Sequence, residues 1–289
     1  MAPAALTPFH APPRSMPLLL KKVDPARGAR WVRDAFALFA RRPLAFTMLF
    51  VVFLFAALVM SLVPVIGGVL QMMSLPLLSL GFMIAGQSAL LDGAVKPAQF
   101  VEPLRGDPGR RRALLVLCAL YGVLAVALLV ACDLLSDGAM ERLQVLMSSP
   151  DTPQAEVAAL LAEPGLQSAV ILGLVGGAVL SVPFWHAPAL VHWGAQGVGQ
   201  ALFSSTLAVW RCKGAFTVYS LTWAAVIAVF GIVTALVFGF LGLGNVGTLL
   251  ALPAGLMFST VFYVSLLFTF NDSFGGAQGR DTTIDSDLA

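Results

Sequence analysis

The chain has 289 residues, of which 58% are hydrophobic and only 11% charged, and its formal net charge is +2. A soluble domain carries roughly 25% charged residues, so this chain lacks the polar surface to cover itself with water and lipid is its natural solvent. The small net charge gives no footing to nucleic acid as a partner, and three cysteines exclude an all-paired disulfide framework.

Met1 to Ser15 is rich in Ala and Pro, and the arm up to residue 24 reads as disordered. Leu18-Leu19-Leu20 is too short an apolar run for a cleavable signal peptide, and Lys21-Lys22 follows it instead of preceding it. Over residues 25–42 the pattern is helical. Trp31, Ala35, Leu38 and Phe39 share one stripe, with Arg27, Arg30, Arg33 and Asp34 largely off it. Such a helix suits the bilayer interface, its arginines against anionic headgroups; packing of the stripe on protein is the alternative. The elbow Arg41-Arg42-Pro43 leads into an uncharged span over 44–62, 19 residues long and enough to cross ~30 Å of hydrocarbon.

Pro64-Val65-Ile66-Gly67-Gly68 turns the chain, and a second span returns over 69–91, with Pro76 placed to kink it. The loop 92–112 carries Lys96, Arg105, Arg110, Arg111 and Arg112 against Asp92, Glu102 and Asp107. A third span follows over 113–131. The connection 132–164 is acidic, with six carboxylates and one base, Arg142. Within it Thr152 is placed to cap a short helix with Pro153 at its first position, and Val157, Leu160 and Leu161 give that helix an apolar face.

The fourth span, 165–191, is bent by Pro183 and Pro188, and His192 to Trp210 forms a second interfacial helix before the basic turn Arg211-Cys212-Lys213. The fifth span covers 214–238 and the sixth 249–270, joined by an uncharged turn containing Asn245; a disordered acidic tail occupies 275–289. The expected architecture is therefore all-α and polytopic, with six transmembrane helices in one domain over 25–274. The Lys and Arg residues, Arg142 and Arg280 apart, fall on one side of six spans. The positive-inside rule then puts both termini in the cytoplasm and the acidic loop on the opposite side of the membrane.

A shift of 170 residues aligns Arg41 with Arg211 and Ala45-Phe46-Thr47 with Ala215-Phe216-Thr217, and a further shift of seven aligns Leu75-Pro76 with Leu252-Pro253. Each copy reads interfacial helix, basic elbow, span, turn, span, and both copies start from the same side, so the repeat is parallel. Ala26-Arg27-Gly28 with Trp31 and Leu38-Phe39-Ala40-Arg41-Arg42-Pro43, together with Phe184-Trp185-His186-Ala187-Pro188-Ala189-Leu190-Val191 and Ala201-Leu202-Phe203-Ser204-Ser205, resemble an uncharacterised family of β-proteobacterial inner-membrane proteins. The resemblance covers Lys22 to Phe274. It extends distantly to the membrane domain attached to some glycerophosphodiester phosphodiesterases, whose catalytic domain has no counterpart here. It implies architecture and compartment, and no mechanism.

Chemistry is sparse. The spans carry no charged residue, whereas ion-coupled carriers usually place one there. His186 and His192, beside Trp185 and Trp193, read as side chains at the membrane boundary; six residues apart on a helix, they cannot grip one ion from one face. Cys118 and Cys132 lie about 21 Å apart on one helix and read as apolar filler; Cys212 falls in the basic turn. Gln87, Ser88, Asn245 and Asn271 are the remaining polar groups near spans, suited to helix–helix hydrogen bonds.

Ala169, Gly173, Gly177 and Ser181 recur every four residues on the fourth span, a stripe over which another helix, of this chain or of another subunit, can approach closely. Arg27, Arg30, Trp31, Arg33, Arg41, Arg42, Arg211 and Lys213 are the candidate lipid-interface residues. No catalytic, cofactor or metal site is discernible, so a non-enzymatic protein is expected. The leading expectation is an accessory partner of a larger membrane assembly. A channel or carrier for lipids or small uncharged solutes, with a mid-membrane cavity at Gln87 or Ser88, is the rival; a haem- or quinone-binding subunit using His186 or His192 is a third.

Overall fold

The computed structural model describes residues 19–275 apart from 65, 149–152 and 242–243; of residues 154 and 244–249 it describes the backbone alone. In chain order the helices are α1 (Arg27–Arg41), α2 (Pro43–Ser61), α3 (Ile66–Leu90), α4 (Glu102–Arg105), α5 (Pro108–Ser136), α6 (Ala139–Ser148), α7 (Gln154–Leu161), α8 (Pro164–Phe184), α9 (Ala187–Gly194), α10 (Val198–Arg211), α11 (Lys213–Phe240) and α12 (Gly244–Phe274). A short 3-10 turn at Pro97–Phe100 precedes α4. Six stretches are long and apolar enough to cross a membrane: Pro43–Ser61, Ile66–Leu90, Pro108–Ser136, Pro164–Gly194, Lys213–Phe240 and Leu250–Phe274. No strand occurs among the described residues. The fold is an all-α polytopic membrane bundle.

Helix α3 is central. It packs on α2, α5, α9 and α12, while α5 and α8 pair along their length. Proline and aspartate set several starts. Pro43 opens α2, and Pro108 opens α5 behind Asp107, whose carboxylate accepts the Arg110 backbone N–H at 3.0 Å. Close approach is written in glycine. A Cβ at Gly28 would lie 2.1 Å from the Ala215 carbonyl oxygen, so α1 crosses α11 backbone to backbone.

The basic segments do meet at one end. The Lys21 N–H donates to Ser273 O at 2.8 Å, Arg42 donates to the carbonyls of Gly93 and Asp92, and Arg110 Nη1 donates to His192 O at 3.3 Å. Residues 19–24, assigned to the arm by composition, are thus held against the end of α12. At the opposite ends of α5 and α8, the acidic connection folds into α6 and α7 around Ala139, Leu160 and Leu166, with Arg142 bonded to Glu163 at 2.8 Å. Thr152, residues 1–18 and the tail 276–289 lie outside the described residues, and so does the Asn245 side chain.

Several boundaries differ from the sequence reading. Helix α5 runs to Ser136, beyond 131, since Asp133 sits in its last turn. Helix α12 runs to Phe274 and absorbs Asn271. The fourth span is broken: α8 stops at Phe184, α9 restarts after His186, and Ala195, in the left-handed region at φ 50°, ends α9. The second interfacial helix therefore begins at Val198, and His192 belongs to α9.

The break has a local cause. In a continuous helix the His186 N–H would bond the Val182 carbonyl. Here the Ser205 hydroxyl from α10 is inserted between them, accepting from His186 N at 3.0 Å and donating to Val182 O at 3.0 Å. Pro188 adds to the opening, having no N–H to return to Phe184.

Candidate functional site: a cleft open to the membrane

The broken span leaves a hollow at mid-bundle. An inner chamber of about 140 Å³ lies between α3, α5, α8 and α12, lined by Pro76, Ser79, Tyr121, Ser181, Phe184 and Tyr263 among others. It adjoins a wider cleft of about 640 Å³ between α8, α11 and α12, into which Gly177, Ser181, Tyr219, Ser220, Trp223 and Ser259 face. Ser181, Trp185, Phe262 and Tyr263 line both. The cleft opens sideways, between membrane-spanning helices, and neither hollow has a charged residue in its lining.

Aromatic packing fixes the walls. Tyr263 stacks on Phe82 at 5.5 Å, and Tyr121 meets Phe184 edge-on at 5.0 Å. The Trp185 indole N–H donates to Thr269 Oγ1 at 3.2 Å. Thr269 spends its own proton on Leu266 O at 2.8 Å, so the contact to His186 Nε2 at 3.2 Å needs the proton on Nε2. His186 Nδ1 is then a buried acceptor without a donor. Tyr219 pairs with Ser265 at 2.7 Å, and the Trp223 N–H, beside Tyr219, has no acceptor of ordinary geometry.

The chain is 32% identical over 262 residues to a probable inner membrane protein of Burkholderia thailandensis, a match covering 89% of this chain and 94% of that relative. The chain belongs to that family. No protein-family profile matches it, and no solved structure matches it. In this inner-membrane protein the two halves of the Phe184–Ser205 stretch have a physical link: Ser205 closes the helix break at Trp185–His186.

Several interface candidates of this inner-membrane protein face inward. Trp31 is fully buried, its ring 5.3 Å from Phe216 and its Nε1 donating to Asp272 at 2.6 Å. Arg27 makes a two-pronged bond to the same carboxylate, at 2.7 and 3.0 Å. The stripe of α1 packs on α11 and α12, where Asp272 supplies a fixed acceptor for the Trp31 N–H. Arg42 is likewise turned to the carbonyls after α3.

Arg30, Arg33, Arg41, Arg211 and Lys213 are exposed, Arg33 beside Asp34 and Lys213 over the Trp210 ring. The outward aromatic stripe belongs to α10, as Phe203, Leu207 and Trp210. Cys212 is buried, its thiol donating to Lys21 O.

The small-residue stripe divides. Ala169 is buried, and Gly173 approaches Cys132 of α5. Residues four apart drift about 40° per step on a 3.6-residue helix, so Gly177 and Ser181 rotate off α5 and into the cleft. Gln87 and Ser88 line neither hollow, and Ser88 instead donates to Ala94 O. His186 is a core residue, not a boundary one, and likewise lines neither hollow.

Sequence reasoning missed Asp272, Tyr121 and Tyr263. Asp272 did leave a signal, since an acid at a helix C-terminus opposes the dipole and calls for a cationic partner. The tyrosines left none, because only the tertiary structure brings α5 and α12 to one chamber.

Proposed function

We propose that this protein is a non-catalytic inner-membrane protein that takes a lipid or other apolar molecule sideways from the bilayer into the cleft between α8, α11 and α12. One observation carries the reading: an uncharged hollow at span depth opens toward lipid and continues into a chamber. The two hollows together fall within the 300–1,000 Å³ usual for ligand sites. The same proposal extends to a distant kinship with the membrane domain attached to some glycerophosphodiester phosphodiesterases. By the positive-inside rule the end bearing Arg41, Arg110 and Arg211 faces the cytoplasm, with both termini, and exposed Trp210 and Arg211 on α10 suit anionic headgroups there.

Native mass spectrometry after gentle extraction tests the reading. The expected species is the 30.4 kDa chain retaining one apolar ligand, which is lost in Gly177→Phe. A chain that carries no more ligand than this variant would overturn it.

A second reading, an accessory subunit of a larger assembly, has its own observation. Beyond Trp223, α11 is the least buried span, and Gly231, Ala235 and Gly239 face Ala251 and Gly255 across a groove of about 600 Å³. Small residues there would admit a partner helix, and a stable heavier complex in the same spectra would favour it.

A further inference from the structure

We infer that Tyr121 and Tyr263 form a donor pair that selects, among apolar molecules entering the cleft, a neutral lipid by its carbonyl oxygens. The inference rests on the cleft being a ligand site. Both tyrosines line the inner chamber, Tyr121 from α5 and Tyr263 from α12. Neither hydroxyl makes a hydrogen bond among the described residues, although each ring is held by aromatic neighbours, Tyr121 by Phe184 and Tyr263 by Phe82, Phe50 and Phe262. A phenol placed in apolar surroundings without a partner is a donor held ready, because leaving it unmatched costs more than a typical bond returns.

The other polar groups of the chamber have spent their own protons. Ser79 donates to Pro76 O and Ser181 to Ala178 O, each within its own helix, and the Trp185 N–H is taken by Thr269. The two phenols are therefore the free donors of the chamber lining, which carries no charge. A carboxylate or phosphate would find no cation in it and would stay in water. A neutral head with carbonyl oxygens satisfies both phenols, and its chain lies in the outer cleft and out into the bilayer. Two sources share that chemistry: the ring carbonyls of an isoprenoid quinone and the ester carbonyls of an acylglycerol.

Trp185 and Trp223 line the cleft, so tryptophan quenching in the purified full-length protein reads occupancy. The probes are ubiquinone-2, a dioleoylglycerol brominated on its chains, and 1-bromododecane, which has a chain and no carbonyl. At least one carbonyl probe should bind about fivefold or more tightly than 1-bromododecane. Tyr121→Phe and Tyr263→Phe should each weaken that probe about fivefold, the value of one neutral hydrogen bond, and together about 25-fold if the two act independently. Binding of 1-bromododecane should not change, which also certifies that the variants are folded.

Preference for ubiquinone-2 or for the glycerolipid identifies the source, and either supports the pair. Equal binding of all three probes, or carbonyl binding indifferent to both substitutions, overturns the inference and leaves the cleft. Absence of saturable quenching by every probe overturns the cleft as well.

Discussion

Asp272 is the residue on which the basic end is assembled. It receives Arg27 and Trp31 together, from an element 241 or more positions away in sequence. Removing it in Asp272→Ala leaves a fully buried indole N–H without an acceptor, at a cost of about 2 kcal/mol. Asp272→Asn keeps one acceptor and should lose about half as much, both read from thermal unfolding in detergent. Pairing with Asp272 raises the Arg27 pKa above its ordinary value, first through the hydrogen bond. A raised basic group stabilises fully below its unfolded pKa and fails only as pH rises through the folded one. Moving from pH 7 to 9 should therefore leave the Arg27 contribution intact, and loss of α1 protection from proteolysis over that range would contradict it. Ser205 is the second such residue. Ser205→Ala should leave the His186 N–H and Val182 carbonyl both unmatched, lowering stability by about 1–3 kcal/mol, whereas Ser205→Thr should retain most of it.

Helix α1 shows what a sequence pattern specifies and what it leaves open. The stripe Trp31, Ala35 and Leu38 is buried as one face, but the pattern is the same whether that face meets lipid or protein. Gly28 is the discriminating residue, because its missing Cβ lets α1 reach the backbone of Ala215 and Tyr219. Gly28→Ala should force the two helices apart and destabilise the protein by about 1–3 kcal/mol. Gly68→Ala, in α3 and with nothing within 4 Å of the new methyl, should stabilise slightly, by about 0.5–1 kcal/mol. Equal effects of the two substitutions in thermal unfolding would refute the close crossing. The parallel repeat also diverges at this scale. Helix α1 is sunk against α11 and α12, while α10 lies on α8 and α9 and keeps Phe203 and Trp210 outside.

For the whole molecule, the break between α8 and α9 and the partial separation of α11 from the bundle create the cleft. Gly177 tests that view, since a Cβ added there meets no atom within 4 Å and Gly177 lines the cleft. Gly177→Phe should fill the cleft, remove the retained ligand and leave the unfolding midpoint within about 0.5 kcal/mol of the parent, as surface substitutions do. Loss of ligand together with a large loss of stability would mean that Gly177 is a packing residue instead.

The sequence by itself determined the solvent, the number of spans and the gathering of basic segments at one end. Each of these follows from local composition and length: charge-free runs of about 20 residues have one stable environment, and an even number of crossings returns the chain to its starting side. It also marked the prolines and the serine at the helix break without showing that they act together. Only the tertiary structure decided which faces meet protein and which meet lipid, because an apolar face has nearly the same affinity for either. That choice is made by a few polar contacts and missing side chains, namely Asp272 with Trp31, Ser205 with His186, and Gly28 on α11. The meeting of Tyr121 and Tyr263 in one chamber arises in the same way, since residues 142 positions apart come to line it together only when α5 and α12 close on α3.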